Sequence, residues 1–223
     1  MDKKLLSQAL IKFFSGLILL GLLLFLPAGT WDYWQAWLLV GVLFVPMFLA
    51  GLVMLFKAPE LLRRRLNMRE EQAEQKKVIA LSGGMFIAAF LLAGFGRRFG
   101  WPVLPRWVSL LAAALFLFGY CLFAEVLREN AYLSRTVEVQ EGQELVSTGL
   151  YGVVRHPMYM STLLLFLAMP LILGSLPSFF VTLLYLPIIA KRIRNEEAVL
   201  EEGLPGYREY EKKVRYRILP GIW

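Results

Sequence analysis

The sequence predicts an all-α, polytopic membrane protein with about five to six spanning helices, a C-terminal helical hairpin and a cytoplasmic tail. Three observations carry that prediction. The 223 residues are 58% hydrophobic and only 18% charged, with a mean hydropathy of +0.58, which is too apolar for a soluble domain of this size. The apolar residues gather into runs, four of which approach the ~20 residues that a spanning helix needs. No stretch alternates with the period of two expected of a barrel strand, and helices are the other way to satisfy every backbone amide in hydrocarbon.

The apolar runs cover residues 5–26, 33–56, 78–95, 107–127, 158–173 and 176–189. The first carries Lys12, which either snorkels from one turn inside the interface or marks an initial stretch lying on the membrane surface. Its flanks, MDKK and a long apolar run with no small-residue cleavage pattern after Pro27, predict a retained anchor rather than a removed signal peptide. The last two runs are short. Only Gly174 and Ser175 separate them, and Pro170, Pro177 and Pro187 interrupt them, so they predict a tight hairpin with both ends on one side. There is no internal repeat and no low-complexity linker, so residues 1–223 read as a single membrane domain. Residues 1–127 supply the N-terminal helices, and residues 128–223 form the loop, hairpin and tail where chemistry is expected.

Charge sets the orientation. Of the 24 Lys and Arg residues, 21 flank one side of the predicted spans, against Arg97, Arg98 and Arg106 on the other. The positive-inside rule then places both termini and GLYGVVRHPMYMS (149–161) on the cytoplasmic side, of a bacterial inner membrane or an endoplasmic reticulum membrane alike. The net charge of +7 follows from this bias and from attraction to anionic head groups, about 1 kcal/mol per basic residue near the surface. It calls for no nucleic acid. The single cysteine, Cys121, lies in the fourth run and His156 is the only histidine, so neither a disulfide nor a thiolate metal site is expected.

Three polar segments face that side. KAPELLRRRLNMREEQAEQKK (57–77) reads as an amphipathic connector at the interface. The segment 128–155 contains TVEVQEGQELVSTG, a β-rich, Gly-punctuated stretch that reads as an ordered loop. In the tail, KRIRNEEAVLEE (191–202) predicts a helix closed by Gly203 and Pro205. There Arg192 and Glu196 form an i, i+4 pair, and Glu196 and Glu197 point about 100° apart, so both reach one bound molecule only near the helix edge. Pro157 suits the first turn of a helix, which places Arg155 and His156 beside an N-terminus that favours anions. Tyr159 adds an aromatic face. The same residues also suit an interfacial anchor and, for the acidic pair, a solvated helix face. Tyr207, Tyr210, Tyr216 and Trp223 either ride the interface or cover a cofactor.

GLYGVVRHPMYMS, the apolar hairpin and RIRNEEAVLEEGLPGYREYEKKV, in that order over residues 149–214, resemble the C-terminal half of the isoprenylcysteine carboxyl methyltransferase and phospholipid methyltransferase superfamily. The first hundred residues match it only as generic membrane helices. The resemblance implies an S-adenosylmethionine-dependent methyltransferase with its cofactor in a cytoplasmic-face pocket and a lipid-like or prenylated acceptor arriving from the bilayer. It implies His156, Pro157 and Tyr159 in the cofactor wall, with Glu196 and Glu197 on the ribose hydroxyls or the amino group. Tyr207 is a candidate cover for the cofactor, and Arg155 and Arg192 are candidate catalytic residues. Ser161 stands where the motif often has glycine, so the close contact that a glycine allows is not carried over. No soluble Rossmann fingerprint is present, and this membrane family does not require one.

A carboxylate acceptor, the leading expectation, is already ionised and needs a bidentate guanidinium, from Arg155 or Arg192. An amine must lose a proton, to His156 or a glutamate. The alternative is a reductase, because VRYRILPGIW together with RHPMY also resembles membrane sterol reductases, which bind NADPH. A scaffold or transporter subunit is a third reading, weakened by the scarcity of ionisable residues inside the spans.

Overall fold

The computed structural model describes residues 3–66, 73–130, 132–133, 137 and 139–223. Among these, regular structure is helical throughout: α1 (Lys3–Ala28), α2 (Trp34–Lys57), α3 (Pro59–Leu66), α4 (Ala73–Arg98), α5 (Arg106–Glu129), α6 (Pro157–Ile172), α7 (Leu176–Thr182), α8 (Tyr185–Gly203) and α9 (Tyr207–Lys213). A single 3₁₀ turn covers Gly149–Gly152. Helices α1, α2, α4 and α5, and the α7–α8 stretch Leu176–Gly203, are long and apolar enough to cross a membrane. This is an integral membrane protein.

Helix α6 has 16 residues, or about 24 Å at 1.5 Å per residue, which is shorter than the ~30 Å hydrocarbon core. Gly174, at φ +70°, and Ser175, whose hydroxyl accepts from Ser178 N–H, turn the chain into α7. The sequence reading ended the second hairpin arm at residue 189 and began a separate helix at 191. The structure instead joins α7 to α8, bending at Leu183 and Leu184, which keep right-handed helical dihedrals. Pro187 causes the bend, since its ring would strike the carbonyl of Leu183 four residues back. Nothing interrupts the chain at residues 190–191, so one helix carries both the apolar arm and the acidic pair.

Helix α1 packs on α2 and α4, α5 lies along α6, and α4 supports α7 and α8. Leu24, Leu39, Phe116 and Ile172 are buried where these helices meet. Helix α1 is continuous from Lys3, and the Lys12 ammonium donates to the carbonyl of Leu66 at the end of α3. Residues 67–72 of the expected connector, Arg69 among them, lie outside the described residues; α3 before them buries Leu62. Thr136 and Glu138 of the β-rich stretch also lie outside the description. The described remainder contains no strand, because its bonds are local: Gln143 N–H donates to Gln140 O, and the Gln143 side chain accepts from Gln140 N–H.

Five of the six tryptophans, Trp31, Trp34, Trp37, Trp101 and Trp107, gather where α1 and α4 finish and α2 and α5 begin. The Arg106 guanidinium lies 5.2 Å from the Trp34 ring centroid. This is the aromatic belt of a membrane interface, at the end opposite the start of α6.

The α1–α4 crossing depends on Gly94. A Cβ there would lie 2.5 Å from Pro27 Cγ and 2.8 Å from the Leu24 carbonyl oxygen. Gly94→Ala should therefore cost about 1–3 kcal/mol through overpacking. Gly83→Ala, where a Cβ meets nothing within 4 Å, should leave thermal unfolding in detergent unchanged. Equal melting temperatures for the two variants would refute this close crossing.

Candidate active site at the start of α6

The stretch that opens α6 is held from both sides. Gly149, at φ +52°, packs so closely on Glu129 that any Cβ would overlap the carboxylate, whose Oε2 accepts from Leu150 N–H at 3.0 Å. Tyr151 is buried beneath this turn, its hydroxyl accepting from Asn130 Nδ2 and its carbonyl from the Tyr210 hydroxyl. Burial pushes the Tyr151 phenol up to about 12. On the other side the tail runs alongside, and Arg155 N–H and His156 N–H donate to the carbonyls of Tyr216 and Arg217 at 2.9 and 2.8 Å. Pro157 then starts α6 in the first-turn position expected of it, with His156 as the residue before the helix.

Arg155 is only 6% exposed, and its five N–H donors all have partners. Nε and Nη2 each lie 2.8 Å from Glu197 Oε1, and Nη2 also reaches Glu211 at 3.1 Å. Nη1 donates to the carbonyls of Val214 and Arg215. Glu197, 3% exposed, accepts in addition from Arg217 Nε at 2.7 Å and lies 3.2 Å from His156 Nε2. The sequence reading had Arg155 facing an acceptor's anionic group and Glu197 on the cofactor. In this structure the two face each other and fasten the tail to α6 and α8.

Glu196 points elsewhere, as adjacent positions on one helix must. It accepts from the Tyr159 hydroxyl, which in turn accepts from Arg192 Nε at 2.8 Å. His156, Tyr159, Arg192 and Glu196 line a pocket together with Leu145, Leu200, Leu204 and Tyr207. Pro157, expected in the cofactor wall, is fully buried and does not line this pocket. Ser161 is fully buried too, its hydroxyl donating to the Pro157 carbonyl at 2.9 Å.

Tyr207 is 3% exposed, and its hydroxyl has no hydrogen-bond partner. Burial, reinforced by the Glu197 charge, holds its ionisation well above the ordinary tyrosine value, so it stays a neutral donor. Burial likewise raises Tyr210. An unmatched buried hydroxyl costs about 1–3 kcal/mol, which a ligand with an acceptor atom in the pocket would recover. The Glu196 carboxylate, a lone hydroxyl donor and the leucine side chains would suit the ammonium, ribose hydroxyls and flat base of the S-adenosylmethionine that the resemblance implies. Among the described residues no group of His, Cys, Asp and Glu side chains is placed to hold a metal ion.

Arg217, Glu211, Asn130 and Tyr151 were not singled out in the sequence. Arg217 and Glu211 lie within the aromatic and basic alternation of the tail, and no local pattern marks them as partners of Glu197 and Arg155, 20 and 56 positions away. With the geometry in place, comparison with known proteins bears on the class. Residues 107–205 match the phospholipid methyltransferase family, within the superfamily that the sequence resembles. That match takes in α5, α6, α7 and α8 and stops just short of Tyr207.

Curated relatives include Delta(14)-sterol reductase TM7SF2 of Mus musculus, 33% identical over 91 residues, which are 40% of this chain and 22% of that protein. Another is the Delta(14)-sterol reductase of Methylotuvimicrobium alcaliphilum, 25% identical over 135 residues, which are 54% of this chain and 32% of that protein. The matched segments thus span less than a third of either relative.

Breaking the buried pair from one side should be costly. Arg155→Leu leaves the Glu197 charge facing Arg217 and His156 alone, a loss of about 3–5 kcal/mol. It should also speed tryptic cleavage at Arg208, Lys212 and Arg215 in the tail. Unaltered cleavage at these positions would show that the tail is held by other contacts.

Proposed function

We propose that the protein transfers a methyl group from S-adenosylmethionine to a lipid-like or prenylated acceptor at the cytoplasmic face of the membrane. The observation that carries this reading is the pocket between the start of α6, the end of α8 and the tail, where Glu196 offers an acceptor and Tyr207 an unmatched donor. Support comes from the phospholipid methyltransferase match, which includes both α6 and α8. The bias of 21 basic residues against three supports the cytoplasmic placement.

The bound cofactor would supply an electrophilic methyl on a sulfonium. Alignment of donor and acceptor is then the protein's main task, worth up to about 7–11 kcal/mol for well-oriented partners. Glu196 holds the ammonium or the ribose hydroxyls, His156 and Tyr159 line the pocket with Pro157 packed out of reach of the ligand, and Tyr207 donates its hydroxyl. Arg192, propped by the Tyr159 hydroxyl, meets an anionic group of the acceptor. Arg155 and Glu197 act through position, by fixing the tail that carries Tyr207. Two acceptor chemistries suit a sulfonium donor: a carboxylate, favoured by the resemblance, which reacts as it stands, and a protic group, which must shed a proton.

The sterol reductase relatives favour a second reading, hydride transfer from NADPH. Charge weighs against it. Arg155 and Arg192 are offset by Glu144 and Glu196 around the pocket, and Arg155 is fully engaged, which suits a sulfonium better than several phosphates. Calorimetry on detergent-solubilised protein separates the two. We expect binding of S-adenosylhomocysteine, weakened about 10- to 150-fold in Glu196→Gln, the equivalent of one lost charge-assisted hydrogen bond at 1.5–3 kcal/mol. Heat with NADPH and none with S-adenosylhomocysteine would make the protein a reductase.

A further inference from the structure

We infer that residues 139–145 form a lid that shuts the pocket, and that the cofactor enters only when this lid swings off the end of α8. The identity of the cofactor rests on the methyl-transfer reading, whereas the lid rests on the geometry of the loop. With the lid in place the pocket holds about 90 Å³. Pockets that take ligands of drug size measure about 300–1,000 Å³, so a molecule carrying both a nucleoside and an amino-acid chain needs one wall to move. Gln143, Glu144 and Leu145 line the pocket, and a swing of the segment that carries them enlarges it.

The other surroundings of the pocket are fastened. Arg155, Glu197 and Arg217 tie the start of α6, the end of α8 and the tail together, and Glu129 pins the turn at Gly149 and Leu150. Val146 packs beside Tyr151 in a separate apolar cluster and marks the fixed end of the lid. Residues 139–145 are held differently, because their hydrogen bonds run within the loop. Gln143 N–H donates to Gln140 O, the Gln143 side chain accepts from Gln140 N–H, Gln140 Nε2 donates to Tyr132 O, and the Tyr132 hydroxyl donates to Gly142 O. A compact loop closed on itself in this way keeps its own bonds when it swings.

What the lid shares with α8 and α9 is apolar contact. Val139 and Leu145 pack on Leu204, Tyr207, Tyr210 and Val214, and among the described residues no hydrogen bond or ion pair joins residues 139–145 to residues 196–217. Such contacts are non-directional, so the lid parts from them without leaving a buried donor or acceptor unmatched. Gly203, the last residue of α8, is where the lid rests: a Cβ there would lie 2.9 Å from Val139 Cγ2 and 3.3 Å from Val139 Cβ. Unlike Gly206, Gly203 does not have the left-handed φ that calls for glycine, so its missing side chain serves the close approach. A shut lid competes with the ligand, and the apparent affinity falls with the fraction of molecules that are open.

Val139 does not line the pocket, so Val139→Ser weakens the resting contact and leaves the lining intact. An open form populated at about 0.1–10% leaves room for a gain of about tenfold or more, and we expect the full-length variant in detergent to bind S-adenosylhomocysteine at least about tenfold more tightly, through faster association. Unchanged or weaker binding would overturn the inference, since loss of a merely structural contact does not strengthen binding. The second arm locks the lid. Val139→Cys with Gly203→Cys, in a Cys121→Ala background that removes the only natural cysteine, sets the two Cβ atoms 3.3 Å apart, close to the ~3.5–4.5 Å that a disulfide spans. Oxidation should abolish S-adenosylhomocysteine binding and reduction should restore it, while ligand added first should slow formation of the bond. Full binding by the oxidised protein, or a disulfide that does not form, would overturn the inference. If neither the unsubstituted protein nor Val139→Ser binds S-adenosylhomocysteine, the methyl-transfer reading fails, and the same two arms read with NADPH then decide the lid.

Discussion

A carboxylate withdrawn from water as far as that of Glu197 must be paired or give up its charge, and here it is shared by Arg155 and Arg217. The arrangement of the elements around the start of α6 follows from that sharing. Arg155 stands one residue before the N-cap of α6, Glu197 stands in the last third of α8, and Arg217 belongs to the tail beyond α9. The backbone pairing of Arg155 and His156 with Tyr216 and Arg217 places the tail where both guanidinia reach one carboxylate. The pair's net contribution to stability is modest because desolvation offsets attraction. Its larger effect is on geometry, since few tail positions satisfy so many donors together.

The bent rod of α7 and α8 explains how an apolar arm and an ionic cluster share one element. Apolar positions through Ile189 and Ile193 pack against Met85, Leu163 and Tyr159. One turn further on, Glu197 takes the same face into the ionic cluster. Glu196, rotated by about 100°, faces the pocket and meets Tyr159 and Arg192. The adjacent acids thus divide between the ionic cluster and the pocket. Trp223 folds back beside the same helices, with the Arg217 guanidinium over its ring at 5.3 Å, so the tail is anchored by apolar packing as well as by charge.

Much of this was legible in the sequence because hydrocarbon imposes simple rules. The long runs became α1, α2, α4 and α5 with ends within five residues of those expected, since a spanning segment has no other way to satisfy its amides. Pro157 marked the start of α6 for a local reason, its missing N–H, and the divergence of Glu196 and Glu197 followed from helix geometry alone. The partners of Arg155 were not legible. A guanidinium beside a helix N-terminus suits an external anion and an internal carboxylate equally, and only the return of the chain at residues 211–217 decides between them. The continuity of α8 through residues 190–191 was missed because the apolar run stops at Ile189 and charge begins at Lys191, a change of solvent that does not interrupt the backbone hydrogen bonds of a helix.

The central claim is that the Arg155–Glu197 pair fixes the tail over the pocket. A double-mutant cycle tests it most directly, with Arg155→Met, Glu197→Leu and the double variant in lipid nanodiscs, read by amide hydrogen exchange across residues 207–217. If the pair is the fastening, each single variant should speed exchange in this segment severalfold. The double variant should then exchange no faster than the worse single, because the second substitution removes a charge already left without its partner. Additive effects of the two substitutions, or exchange in all three variants equal to that of the unsubstituted protein, would contradict the account.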